Sequence, residues 1–147
     1  MGALSVYFDA SVLVSFFTED GFSSRADQAF RGHAIIPAVS DFGAAEFASA
    51  VARHVRMQIL SAREAREVFS DFDAWVARTA ARIETTPADI RAAEAILRRL
   101  NQTLRTPDAI HIAIAQRIGA ELATFDIRML ECAAALGTRS DWGRGKK

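Results

Sequence analysis

An α/β fold built on a parallel sheet is what this sequence predicts, and three observations predict it. Two short apolar runs read as buried strands: Leu4 to Asp9, with Val6, Tyr7 and Phe8 in succession, and Glu121 to Phe125. Between them lie helical segments with clear punctuation: the same Thr-Pro start at Thr86-Pro87 and Thr106-Pro107, and glycine stops at Gly119 and Gly137. Strands that alternate with helices build layered α/β folds. Right-handed crossovers then bring every strand's carboxyl end to one edge, where ligands bind in such sheets.

The elements follow in order. After the Leu4–Asp9 strand, Ala10 to Phe17 stays apolar and turns helical, because Asp9-Ala10-Ser11 can start a helix. Ser23 to Arg31 reads as a second short helix, and Ala34-Ile35-Ile36-Pro37 as a short strand closed by its proline. Ser40 then caps a helix running to about His54. From Ser61 to about Ala80, the residues Ala65, Val68, Phe69, Phe72, Trp75 and Val76 recur at helical spacing with charges between them. Arg82 to Thr86 can be a helix end or a short strand. The helix from Thr86-Pro87 carries Ile90, Ala93, Ile96, Leu97 and Leu100, and the one from Thr106-Pro107 ends near Gly119. Ile127 to Leu136 is a final helix. There is no repeat or linker, so residues 1–140 read as one domain, with 141–147 as a flexible basic tail.

Composition narrows the class. Of the 147 residues half are hydrophobic, enough for a real core, and the formal net charge is zero. No strong basic field therefore advertises a polyanion partner. The cations are sixteen Arg against two Lys, the latter both at the extreme C-terminus. Arg suits bidentate phosphate contacts, although genomic base composition explains the bias as well. The single cysteine, Cys132, cannot form an internal disulfide and sits beside Ala133, Ala134 and Ala135 as a small hydrophobe. Without a signal-peptide pattern or an apolar run of the ~20 residues a membrane helix needs, the expected location is the cytoplasm, with no membrane partner.

Four acids stand in apolar surroundings: Asp9, Glu46, Asp108 and Asp126. Asp9 and Asp126 are expected as the last residues of their strands, hence at one sheet edge. Asp108 is the second residue of its helix if Thr106 is the cap, which the helix dipole favours. Glu46 lies among Phe42, Ser49 and Ala50, where an unpaired carboxylate is costly or titrates abnormally. Each has an ordinary alternative: Asp9 and Asp126 as turn or cap residues, Asp108 as a first-turn acid, Glu46 as a partner of Arg53. If the four meet, their repulsion must be offset, and Mg²⁺ or Mn²⁺ would do so. Such sites favour phosphodiester hydrolysis.

Four segments carry a family resemblance: Tyr7-Phe8-Asp9-Ala10-Ser11-Val12-Leu13-Val14, Ala44-Ala45-Glu46-Phe47-Ala48-Ser49-Ala50, Leu104-Arg105-Thr106-Pro107-Asp108-Ala109-Ile110-His111-Ile112-Ala113-Ile114-Ala115, and Leu122-Ala123-Thr124-Phe125-Asp126-Ile127-Arg128-Met129. In this order, over almost the whole chain, the set resembles the PIN-domain ribonucleases, and among them the VapC-type toxins of toxin–antitoxin pairs. The resemblance implies a three-layer α/β/α fold with a central parallel sheet of four or five strands, the fifth falling near 136–140. It implies a metal-dependent endoribonuclease, with Asp9, Glu46, Asp108 and Asp126 as the catalytic, Mg²⁺- or Mn²⁺-binding quartet. Asp9 and Asp108 would be the firmest ligands, with Glu46 and Asp126 binding directly or through water. Ser11 and Thr124 would be hydrogen-bonding residues beside the acids. It further implies an RNA substrate, a homodimer, and a small cognate antitoxin protein covering the active site.

Other residues weigh less. Arg105, just before the Asp108 helix, is a candidate contact to substrate phosphate. His111, one turn after Asp108, reads as a packed or hydrogen-bonded histidine, since hard cations prefer oxygen. Two other functions compete. A PIN-type nuclease of housekeeping RNA processing would share the site. Phosphoryl-transfer domains of the haloacid-dehalogenase or receiver type also use strand-end acids. The first of these needs a second Asp where Ser11 stands, and the second needs a functional lysine, absent before Lys146.

Overall fold

The structure is a computed structural model that describes residues 4–18 and 34–140. These residues form four strands and six helices: β1 (Leu4–Phe8), α1 (Ala10–Phe17), β2 (Ile35–Ser40), α2 (Asp41–Arg56), α3 (Ala62–Arg78), β3 (Ala81–Ile83), α4 (Pro87–Arg98), α5 (Thr106–Ile118), β4 (Glu121–Ala123) and α6 (Ile127–Ala135). The strands lie in the order β3-β2-β1-β4, and every neighbouring pair is parallel.

Alternation along the strands divides the core into two. On β1, Val6 and Phe8 face one side and Tyr7 the other; β2 does the same with Val39 and Ala38, and β4 with Ala123 and Leu122. The first side packs on Val12 and Leu13 of α1, Phe47 and Val51 of α2, and Ala65 and Phe72 of α3. The second packs on Ala93 and Ile96 of α4, Ile110, Ile112 and Ile114 of α5, and Met129, Cys132 and Ala133 of α6. The result is the expected three-layer α/β/α arrangement. From Ala109 to Ala115 every residue of α5 is buried, and all but His111 are apolar.

Several boundaries differ from expectation, each for a local reason. β2 does not close at Pro37 but runs on to Ser40. Pro37 pairs with Val6 of β1, and the ladder to β3 starts one residue later at Ala38. The missing amide therefore falls where β2 is still an edge. β4 ends at Ala123, and neither Asp9 nor Asp126 belongs to a strand; both are helix N-caps. The Asp9 carboxylate accepts from the Val12 amide and that of Asp126 from the Arg128 and Met129 amides. Asp108 is the third residue of its helix, not the second, because its carboxylate accepts the Arg105 amide and moves the cap back one residue. Of the ambiguous stretch Arg82 to Thr86, only Arg82 and Ile83 belong to β3; Glu84 to Thr86 lie in no strand or helix, and Thr86 caps α4. No fifth strand forms among the described residues, but the Leu122 amide donates to the Arg139 carbonyl at 2.8 Å, so 138–140 lies along β4. The helix expected at 23–31 and the tail at 141–147 lie outside the described residues.

Candidate active site

Parallel pairing sends β1, β2 and β4 to one edge, and each continues directly into a helix or cap there. Asp9 leaves β1, Ser40 leaves β2, and Thr124 to Asp126 leave β4. Asp9 is the most enclosed of the four acids, only 5% exposed. Its Oδ1 accepts from the Ser11 hydroxyl at 2.6 Å and from the Val12 amide at 3.1 Å. Burial pushes the Asp9 carboxyl above the usual range, against the downward pull of hydrogen bonds from Ser11 and Thr124. Both hydroxyls also reach the turn that bears Asp126. Ser11 Oγ accepts the Phe125 amide at 3.2 Å, and Thr124 Oγ1 accepts the Asp126 amide at 3.1 Å. Ser11 and Thr124 thus clamp Asp9 to the Asp126 turn.

Glu46 meets a partner that its sequence neighbourhood does not disclose. It is not paired with Arg53; its Oε1 is hydrogen-bonded to His111 Nε2 of α5. His111 Nδ1 lies 2.6 Å from the Tyr7 hydroxyl, which lies 2.7 Å from Ser40 Oγ, and Ser40 Oγ accepts the Gly43 amide at 2.9 Å. One proton arrangement satisfies the whole buried chain: Ser40 donates to Tyr7, Tyr7 to His111, and His111 to Glu46. Burial, with the Asp9 and Glu46 carboxylates bearing on it, pushes the Tyr7 phenol well above its ordinary range, so it keeps its proton. Gly43 leaves room for this chain. A Cβ there would stand 3.2 Å from Ser40 Oγ and 3.7 Å from both His111 Cε1 and the Tyr7 hydroxyl. Since α2 and α5 cover opposite faces of the sheet, the Glu46–His111 bond staples the two helix layers across the carboxyl edge.

Asp108 lies one turn before His111, its Oδ2 accepting the Arg105 amide at 3.2 Å. The Arg105 side chain is 81% exposed and leans toward Asp108 at 3.9 Å. A pair this exposed adds little stability, and leaves the guanidinium free to reach into solvent. The structure therefore brings Asp9, Ser11, Thr124 and the Asp126 turn into direct contact. It joins Glu46 to the helix that carries Asp108. His111 is the packed, hydrogen-bonded histidine that the sequence suggested, but its partners Glu46 and Tyr7, and the parts played by Ser40 and Gly43, were not expected.

Four carboxylates are the oxygen donors that Mg²⁺ or Mn²⁺ takes, and Asp9, buried and with no ion pair among the described residues, fits such a cation in kind. Among the described residues, no three His, Cys, Asp or Glu stand close enough to form a ready metal cluster. The hydrogen bonds explain this: Glu46 is turned to His111, Asp126 to the start of α6, and Asp108 to the Arg105 amide.

This edge and this sheet define a class: the chain belongs to the PIN domain family, which it matches over residues 6–135. No curated protein sequence matches it closely. Among solved structures it is similar to VapC20 of Mycobacterium tuberculosis, a sarcin–ricin loop cleaving toxin. The TM-score is 0.70 at 15% identity, over 90% of this chain and 95% of that one. It is similar also to FitAcB of Neisseria gonorrhoeae, with TM-score 0.69 at 13% identity over 92% and 95%. VapBC2 of Rickettsia felis, solved bound to a DNA fragment from its promoter, gives TM-score 0.63 at 13% identity over 88% and 93%. At these identities the likeness establishes a shared fold. No described helix is long and apolar enough to cross a membrane.

Proposed function

We propose that the chain is a metal-dependent endoribonuclease that hydrolyses RNA phosphodiester bonds as the toxin of a toxin–antitoxin pair. One observation carries the reading: within a PIN domain, Asp9 is buried at the carboxyl edge and clamped by Ser11 and Thr124 to the turn bearing Asp126. Asp9 and Asp108 would hold Mg²⁺ or Mn²⁺, with Glu46 and Asp126 completing the site. When bound, the cation would supply positive charge to the scissile phosphate and lower the pKa of the attacking water.

The chain's own residues do the rest. Ser11 and Thr124 fix the Asp9 carboxylate in one orientation, and such supporting hydrogen bonds are worth roughly 10–100-fold in affinity or activity. His111 occupies one oxygen of Glu46, which leaves the second for a cation. Arg105, exposed beside Asp108, can meet a substrate phosphate. The solved toxin–antitoxin complexes of the same fold support a small antitoxin as the partner covering this edge. A homodimer and a cytoplasmic setting complete the reading. The test is cleavage of a mixed-sequence RNA by purified protein with Mg²⁺ or Mn²⁺. Cleavage is expected to stop on chelation and in Asp9→Ala and Asp108→Asn. Variants that cut as well as the parent would overturn the site, and expression without growth arrest would overturn the toxin role.

A further inference from the structure

An RNA strand is a polyanion, and the proposed site offers it four carboxylates in a chain of zero net charge. Cations close to the edge must therefore guide it in. Four described arginines are held closely or at helical spacing by an acid: Arg82 by Asp41, Arg98 by Glu94, Arg117 by Asp89 and Arg63 by Glu67. Arg53, Arg56, Arg66, Arg78, Arg91, Arg99, Arg128 and Arg139 have no carboxylate partner among the described residues, and of these Arg53 and Arg56 line the open groove of about 480 Å³ that also takes in Glu46, with His54, Met57 and Ile59. Glu46 is thus shared between this groove and the candidate site.

The geometry follows from α2. Arg53 lies seven residues after Glu46, so two turns on, along nearly the same stripe and about 10 Å further along the axis. Arg56 flanks it in the last turn. Basic side chains at a helix C-terminus also serve the macrodipole, which accounts for their sign but not for their lining a groove that opens on Glu46. The ring of His54 also lines the groove, its Nδ1 buried and without a hydrogen-bond partner among the described residues. Met57 and Ile59, 55% and 58% exposed, give the groove an apolar wall against which a ribose or base can rest.

We propose that this groove binds the backbone of single-stranded RNA beside the scissile phosphate, with Arg53 and Arg56 each holding a phosphate. The proposal rests on the nuclease reading and extends it to a substrate path along α2. The test uses the full chain with Asp9→Asn, so that RNA is bound but not cut, and a fluorescein-labelled single-stranded RNA followed by anisotropy. Arg53→Ala with Arg56→Ala is expected to weaken binding roughly tenfold, whatever the sequence, and to lower the salt slope by about 1.4, at ~0.7 per lost phosphate contact. Arg91→Ala, on exposed α4, is expected to change neither. With Asp9 intact, the double variant is expected to raise KM while kcat stays near that of the parent.

Failure of the groove and failure of the nuclease reading give different results. If the parent cuts RNA and the double variant binds and cuts equally well, the groove proposal is overturned and the nuclease stands. The groove proposal falls in the same way if the double variant alters only the oligomeric state, since Arg53 and Arg56 would then face another copy of the chain. If the parent neither binds nor cuts RNA, both fall.

Discussion

At the scale of single residues, Asp9 and His111 behave in opposite ways. Asp9 has a carboxyl raised by burial. A group whose folded pKa exceeds its unfolded value contributes stability below the unfolded pKa and loses it as pH rises through the folded one. At neutral pH the cost of ionising Asp9 in the fold therefore works against stability. Asparagine caps helices as well as aspartate. Asp9→Asn in chelator is expected to melt a few degrees higher than the parent at pH 7, with the difference vanishing near pH 3, and with Mg²⁺ or Mn²⁺ supplied it is expected not to cut RNA. A lower melting point at pH 7 would contradict this. His111 instead supports the fold. Truncating it leaves Glu46 and the Tyr7 hydroxyl each short of a partner, so His111→Ala is expected to cost about 1–3 kcal/mol in urea unfolding. Its RNA cleavage should fall as well, because Glu46 loses its tether. Unchanged stability and activity would refute the staple. Asp9 was legible as the acid that closes an apolar run, and Ser11 and Thr124 only through the family resemblance; the bond that joins Ser11 to Phe125 spans 114 positions. The pairing of His111 with Glu46 was not legible, because the two lie 65 positions apart.

At the scale of elements, punctuation was legible and exact ends were not. Thr86-Pro87 starts α4 and Gly119, with φ 66°, ends α5, as their chemistry requires. The start of α5 moved by one residue because Asp108 bonds back to Arg105, a reciprocity no dipeptide signal carries. Asp89 has a second such role that sequence could not disclose. It caps α4 by accepting the Thr86 amide at 2.9 Å, and it holds Arg117 of α5 through two bonds of 2.7 and 3.0 Å. Burial alone would raise the Asp89 carboxyl, but Arg117 and Thr86 outweigh it and hold it below the usual range. A depressed pKa gives stability that is present above the unfolded value, about 3.9, and lost as pH falls through the folded one. Asp89→Asn keeps the cap and loses the ion pair. Because Arg117 is partly exposed, the expected cost at pH 7 is only about 1–2 kcal/mol. That difference should shrink to nothing as the pH drops below about 4. A difference that persists at pH 2 would place the effect in packing rather than charge.

At the scale of the whole molecule, alternation foretold an α/β fold on a parallel sheet and the family resemblance its three layers, but neither told how the sheet's two borders are finished. β1 and β2 are interior, while β4 forms one border with only three residues. An open strand edge invites pairing with another chain. The segment expected as a fifth strand does part of that work: Thr138 and Ser140 are buried beside β4, and the Leu122 amide is satisfied by Arg139. Gly137, with φ 82°, turns the chain back from α6 to reach it. Sequence pattern underrates such a segment, since Thr138-Arg139-Ser140 has no apolar run to bury. The contacts are polar and depend on the neighbouring strand. Ending the chain at Gly137 removes them all and exposes the Leu122 amide with the rest of that edge. The shortened protein is expected to melt at lower temperature and to associate with rising concentration in size-exclusion chromatography. The Arg139→Ala variant keeps the backbone carbonyl, so it should match the parent in both measurements. If the shortened chain also matches the parent, residues 138–140 do not protect the edge of β4.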